Sequence, residues 1–104
     1  MELLDEIGRR AVRYFWEQAD PQTGLVNDRA ANFGNDDYTI ASTAATGYGL
    51  AALPIGVERG WLDFNDAVSR ARLTLQFLLT LSHEHGWIVH FIDRRSGERA
   101  WQSE

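Results

Sequence analysis

The chain has 104 residues, enough for one domain of ordinary size or less, and its 44% hydrophobic and 12% aromatic content belongs to a globular sequence rather than a disordered one. A net charge of −5 argues against the basic footprint of a DNA- or RNA-binding surface, and the lack of cysteine rules out disulfides and thiolate chemistry. All ten basic residues are arginine, which coding bias explains more readily than selective guanidinium chemistry.

Met1 to Arg10 carry no basic segment followed by an apolar one, so no secretory leader is read there. Leu3, Leu4, Ile7, Ala11, Val12, Tyr14 and Phe15 instead recur at three- and four-residue spacing among charged residues. That spacing predicts an amphipathic helix over residues 2–19. Asp5 and Glu6 near its start, with Arg9, Arg10 and Arg13 further along, suit the helix dipole. Pro21 ends it, and Asp20-Pro21-Gln22-Thr23-Gly24 is turn chemistry. An irregular stretch rich in Asn, Asp and Gly runs to about Tyr38, with Leu25 to Arg29 locally extended.

From Thr39 to Gly56 eighteen residues carry no charge and are mostly Ala, Gly, Thr and Ser. A membrane span would be dominated by larger apolar side chains, so no membrane partner is expected. Small residues on every side predict a second helix, over 39–59, enclosed by other helices. Pro54 is expected to kink it or start a fresh turn, and Gly60 to end it. Gly47-Tyr48-Gly49-Leu50-Ala51-Ala52 has the form of a dinucleotide fingerprint but lacks a preceding parallel strand, so helix packing explains its glycines and no cofactor is expected.

Asp63 is placed to cap a third helix, with Asp66 following in the manner of a capping box. Phe64, Ala67, Val68, Ala71, Leu75, Leu78 and Leu79 keep helical phase to about Ser82. Trp87-Ile88-Val89-His90-Phe91-Ile92, the turn Asp93-Arg94-Arg95-Ser96-Gly97 and Glu98-Arg99-Ala100-Trp101 read as a short β-hairpin. The connections after the first and third helices are far longer than the usual ~2–8 residues between packed helices. If successive helices are antiparallel, both emerge at one end, where binding and catalysis usually sit. The stop at Ser103-Glu104, without a closing helix, predicts a truncated piece of a larger array of helical pairs.

The ordered set Leu3-Leu4-Asp5-Glu6-Ile7, Tyr14-Phe15-Trp16, Pro21-Gln22-Thr23-Gly24-Leu25-Val26, Asp28-Arg29, Ile40-Ala41-Ser42-Thr43-Ala44-Ala45-Thr46-Gly47-Tyr48-Gly49-Leu50, Leu53-Pro54-Ile55-Gly56-Val57-Glu58-Arg59-Gly60-Trp61, His90-Phe91-Ile92-Asp93, Ser96-Gly97 and Trp101-Gln102-Ser103-Glu104 resembles the N-terminal part of the glycoamylase-like domain family, which includes bacterial β-1,2-glucanases. Residues 30–37 match it only loosely, and His83-Glu84-His85 falls where the family varies. The resemblance implies an all-α fold in which residues 1–104 form the leading portion of a single (α/α)6 toroid, the small-residue helix being its first inner helix. It also implies an oligo- or polysaccharide partner, hydrolysis of β-glucans such as β-1,2-glucan by an inverting pair of carboxylates, and a periplasmic or secreted setting.

On that template Glu104 is the one cleft carboxylate that carries over, its partner lying further along, and the chain alone is expected to be inactive. Trp101 and Trp87 are candidates for sugar stacking, against hairpin packing as the plainer role. His90 points toward the cleft by analogy, against a simply packed histidine. Asp36, Asp37 and Tyr38 are read as helix caps by default, with Asp37 lining the cleft as the sharper alternative. Asp93 and Arg99 are expected to pair across the hairpin turn. His83, His85 and His90 with Glu84 lack further ligands at metal spacing, so no metal is expected. The competing class is a non-enzymatic helical module that binds carbohydrate or protein, and surface left open by truncation predicts self-association.

Overall fold

The computed structural model describes residues 2–31, 37–83 and 85–101. It is mostly helical: α1 (Leu3–Glu17), α2 (Thr43–Glu58) and α3 (Phe64–Thr80), with a two-stranded antiparallel sheet of β1 (Ile40–Ser42) and β2 (Phe91–Asp93). No helix among the described residues is long and apolar enough to cross a membrane.

The amphipathic first helix is present and ends where Gln18 donates to the carbonyl of Tyr14. Its last turn holds no basic residue, so the expected dipole match at that end is missing. Two of its arginines face glutamates one turn away instead, Arg10 to Glu6 at 2.8 Å and Arg13 to Glu17 at 3.7 Å. Beyond it, Asp20 Oδ1 accepts from the backbone of Gln22 and Thr23 at 2.8 and 3.1 Å, and Gly24 takes φ +77°. The glycine is required twice over, because a Cβ there would also press into Thr74 of α3.

The small-residue helix begins at Thr43, four residues later than expected. Ile40–Ser42 is extended, and the side chain of Ser42 caps α2 by accepting from Ala45 at 3.0 Å. Ser42 therefore fills the role expected of Asp36, Asp37 or Tyr38. Asp37 is exposed, and Asp36 lies outside the described residues. Pro54 sits inside α2 on an exposed position, and the helix continues through it to Glu58. Gly60 ends this segment with φ +77°.

α2 packs between α1 and α3, but only one stripe of it is enclosed: Thr46, Gly49, Ala52, Leu53 and Gly56. A Cβ on Gly49 would lie 2.9 Å from Val26, and one on Gly56 2.6 Å from Leu62, so these two glycines permit close approach. Gly47 faces open space, as do Tyr48 and Ile55. The expectation of a helix enclosed all round is thus met on one side, because among the described residues only the helices α1 and α3 flank it. α3 has the cap expected of it, Asp63 accepting from the backbone of Asp66 at 3.0 Å.

The expected hairpin closes across the Asp93–Gly97 turn, where the backbone of Asp93 donates to Glu98 at 2.8 Å and that of Ala100 to Phe91 at 3.0 Å, and its first arm gains a second partner. The strand is Phe91–Asp93 alone, and it pairs with β1 in the register Ile40↔Asp93, Ala41↔Ile92, Ser42↔Phe91. Among the described residues the return arm makes the bridge Ile92↔Arg99, and Asn27↔Ala41 adds a bridge on the other side of β1. The resulting ribbon buries Leu25, Ala41 and Ile92, with Phe77, Leu78, Leu81, Ile88 and Val89 packed around them. It joins the two long connections, the arrangement that their lengths anticipated.

Candidate functional site

The ribbon places an aromatic ladder beside the N-terminus of α2. The His90 carbonyl accepts from the backbone of Thr43 at 3.0 Å, which fixes the strand against the first turn of the helix. The imidazole of His90 stacks on Phe91, ring centres 4.1 Å apart and planes 13° apart. Phe91 packs on Trp101 at 4.4 Å with a 52° tilt. Beyond Trp101 stands the guanidinium of Arg29, its Cζ 5.8 Å from the ring centre. Trp101 is 37% exposed, so the ladder reaches the surface. Arg99 Nε donates to the Trp101 carbonyl at 2.9 Å, and the guanidinium against the Asp93 carboxylate is that of Arg95 at 3.4 Å rather than the expected Arg99.

Three polar arrangements lie in the connections that carry the ladder and Arg29. Asp28 Oδ2 accepts from Nη2 and Nε of Arg29 at 2.7 and 3.0 Å, and this hydrogen bonding, with Tyr38 nearby, raises the guanidinium above its ordinary pKa. Asn27, fully buried, donates through Nδ2 to the carbonyl of Tyr38 at 3.0 Å and to Gln18 Oε1 at 3.3 Å, while its own carbonyl accepts from the Tyr14 hydroxyl at 2.8 Å. In the β2 turn, burial pushes the Asp93 carboxyl up, but the backbone N–H groups of Arg95 and Ser96 and the Arg95 guanidinium outweigh it and hold the group below the usual carboxylate range.

The two connections are also clamped behind the ladder. Thr23 Oγ1 donates to the carbonyl of Arg94 at 2.6 Å, and the backbone N–H of Arg94 donates to Thr39 at 2.9 Å. Asp20 Oδ2 lies 3.8 Å from Arg94 Nε, an ion pair too long to be a hydrogen bond.

Of the residues named from sequence, Trp101 and His90 are brought together through Phe91. Trp87 is 79% exposed, and among the described residues no ring contact joins it to the ladder. Asp37 is exposed and makes none of the contacts above, although its neighbour Tyr38 touches Asn27. Glu104 lies outside the described residues. Arg29 carries no sequence signal for this contact, because a cation placed over a ring 72 positions away leaves no spacing pattern in the chain. Among the described residues, no three His, Cys, Asp or Glu side chains gather as a metal site. The sheet preceding α2 is antiparallel, and Gly47 and Gly49 lie within the helix, so no glycine-rich phosphate loop is formed.

Comparison with known proteins places this geometry. No protein-family model matches the chain. It is 34% identical over 97 residues to an exo β-1,2-glucooligosaccharide sophorohydrolase (non-reducing end) of Parabacteroides distasonis, covering 93% of this chain and 13% of that protein. A crystal structure of a β-1,2-glucanase from Parabacteroides distasonis superposes with a TM-score of 0.75 at 34% identity, over 91% of this chain and 13% of that one. A glucoamylase-like protein of Bacteroides uniformis gives a TM-score of 0.84 at 28% identity, over 99% of this chain and 24% of that one. A shorter likeness, 43% identical over 53 residues, joins the chain to an arginine–tRNA ligase of Thermotoga petrophila, but it covers 47% of this chain and 10% of that protein. The structural matches span the helices and the ribbon together. The chain thus spans between about an eighth and a quarter of the length of the relatives it follows throughout. In sequence and in fold, its neighbours are the β-1,2-glucanase-related, glucoamylase-like proteins.

Proposed function

We propose that this chain supplies one wall of a glycan cleft in a glycoside hydrolase acting on β-glucans such as β-1,2-glucan. The observation that carries the reading is the His90–Phe91–Trp101 ladder at the surface of a segment similar to β-1,2-glucan-active proteins. An indole presents a flat apolar face to the C–H face of a pyranose while sugar hydroxyls stay solvated or hydrogen-bonded. In this reading residues 1–104 are the leading portion of one (α/α)6 domain, with α2 as its first inner helix.

Trp101 stacks the sugar, His90 supports the ladder and offers a polar edge, and Asp37 and Trp87 contact more distant sugar units. Glu104 serves as one of two catalytic carboxylates of an inverting mechanism. One acid protonates the leaving oxygen while a carboxylate about 6.5–9.5 Å away activates water. The second carboxylate comes from outside these residues, so the chain alone releases no sugar.

The test uses the longer protein encoded with this segment, assayed for reducing sugar from β-1,2-glucan. Glu104→Gln is expected to remove nearly all turnover, and Trp101→Ala to raise KM more than it lowers kcat. No release from any β-glucan by the wild type, with unchanged saccharide binding in Trp101→Ala, would leave a non-enzymatic module as the better account.

A further inference from the structure

Arg29 takes part in two contacts at once. Its Nη2 and Nε both donate to one oxygen of Asp28, and its Cζ stands over the Trp101 ring. Asp28 is itself anchored, since its backbone N–H donates to the carbonyl of Ile40 at 2.9 Å and its side chain is largely covered. The guanidinium is therefore held by a fixed carboxylate above the ring, while Phe91 packs against the same ring at 4.4 Å. A guanidinium and the C–H face of a pyranose both seek the π surface of an indole, and they cannot occupy the same face together.

We propose that Arg29 is a displaceable cover on Trp101, latched by Asp28, which a saccharide pushes aside before it stacks. The proposal rests on the reading of Trp101 as a sugar platform. The strength of the latch suits such a role. Arg29 is mostly solvent-exposed, and exposed ion pairs and cation–π contacts are weak enough to be exchanged for another ligand. The cover makes the residue specificity-determining, because only a ligand whose contact with the indole exceeds that of the guanidinium gains access to it.

The experiment follows the Trp101 indole N–H by NMR in the longer protein encoded with this segment, labelled selectively at tryptophan, the signal being assigned by its loss in Trp101→Phe. A soluble paramagnetic agent reports access to the ring, and a β-1,2-linked glucose disaccharide is titrated as ligand. Arg29→Ala and Asp28→Ala are both expected to raise the paramagnetic relaxation at this signal. Disaccharide binding in Arg29→Ala is expected to tighten by about two- to fivefold, the factor that one exposed cation–π contact converts to. Arg29→Lys, which keeps the charge and loses the planar face, is expected to fall between wild type and Arg29→Ala. Relaxation unchanged in both variants, or weaker sugar binding in Arg29→Ala, overturns the cover. If relaxation rises in both and no variant binds the disaccharide, the cover stands and the sugar-platform reading fails.

Discussion

Thr23 Oγ1 and the carbonyl of Arg94 meet at 2.6 Å across a sequence separation of 71 residues, and the same oxygen accepts from the backbone of Leu25 at 3.2 Å. One buried hydroxyl thus closes the connection after α1 onto the turn after β2. Thr23→Val keeps the shape and removes both bonds, leaving a buried carbonyl and a buried N–H without this partner. The expected loss is about 1–3 kcal/mol in urea unfolding. A midpoint equal to wild type would show that this contact does not hold the connections together.

Glycines on opposite sides of α2 should respond with opposite sign. Gly47→Ala adds a methyl into open space within a helix and is expected to stabilise by up to about 1 kcal/mol. Gly49→Ala drives a Cβ to 2.9 Å from Val26 and is expected to destabilise despite the same gain in helix propensity. Thermal melting of the two variants side by side decides it, and equal shifts would contradict the packing described for Gly49.

Asp93 gives a pH dependence with a definite sign. Its carboxyl is held below the ordinary range in the folded chain, so its contribution is complete above the unfolded value of about 3.9 and fades as pH falls through the lowered folded value. Asp93→Asn should therefore lose stability at neutral pH and lose less than wild type on acidification. Parallel acid limbs in the two proteins would remove Asp93 from the account.

Arg70 spans α3 and the end of α1: its guanidinium lies 4.0 Å over the Trp16 ring and donates to the Trp16 carbonyl at 3.1 Å. Partial burial lowers its pKa from the ordinary arginine value. Arg70→Met keeps most of the stem and loses both contacts, with an expected cost of about 1–2 kcal/mol and a changed near-ultraviolet tryptophan signal. Arg70→Lys should recover little, because the planar fork is what the ring and the carbonyl share. Full recovery by lysine would reduce the contact to simple charge.

An apolar groove of about 340 Å³ runs between α1 and α2, lined by Leu4, Val12, Tyr48, Ile55 and Trp61 among others. Open apolar surface of this kind favours association in water. The isolated chain is expected to sediment as larger species with rising concentration, and Leu4→Arg with Ile55→Arg to shift it toward monomer. A concentration-independent monomer in the wild type would overturn this.

Helical periodicity and caps were legible because their signals are local. The first helix, the Asp20–Gly24 turn, the Asp63 cap and the Gly60 stop each follow from residues within a few positions. β1 was hidden for the opposite reason. Ile40-Ala41-Ser42 shares the small, uncharged character of the helix that follows, and its partner Phe91–Asp93 lies half the chain away. Trp101 could be named as a stacking ring and His90 by analogy with the family, but nothing local announces that Phe91 joins them. Trp87 had the same stacking claim as Trp101 in sequence and Asp37 a weaker one than its capping role, and both are exposed in the fold without a described contact to the ladder.

The β1–β2 pairing also orders events in time. Each of the three helices can form from residues within its own segment, whereas Ile40 cannot meet Asp93 until most of the chain has been made. Local contacts form quickly and distant ones wait on loop closure, and chains emerge from the ribosome N-terminus first. The surface proposed for sugar is consequently the last part of this chain to exist. A variant that slows this one closure would delay the appearance of the site while leaving the helices intact.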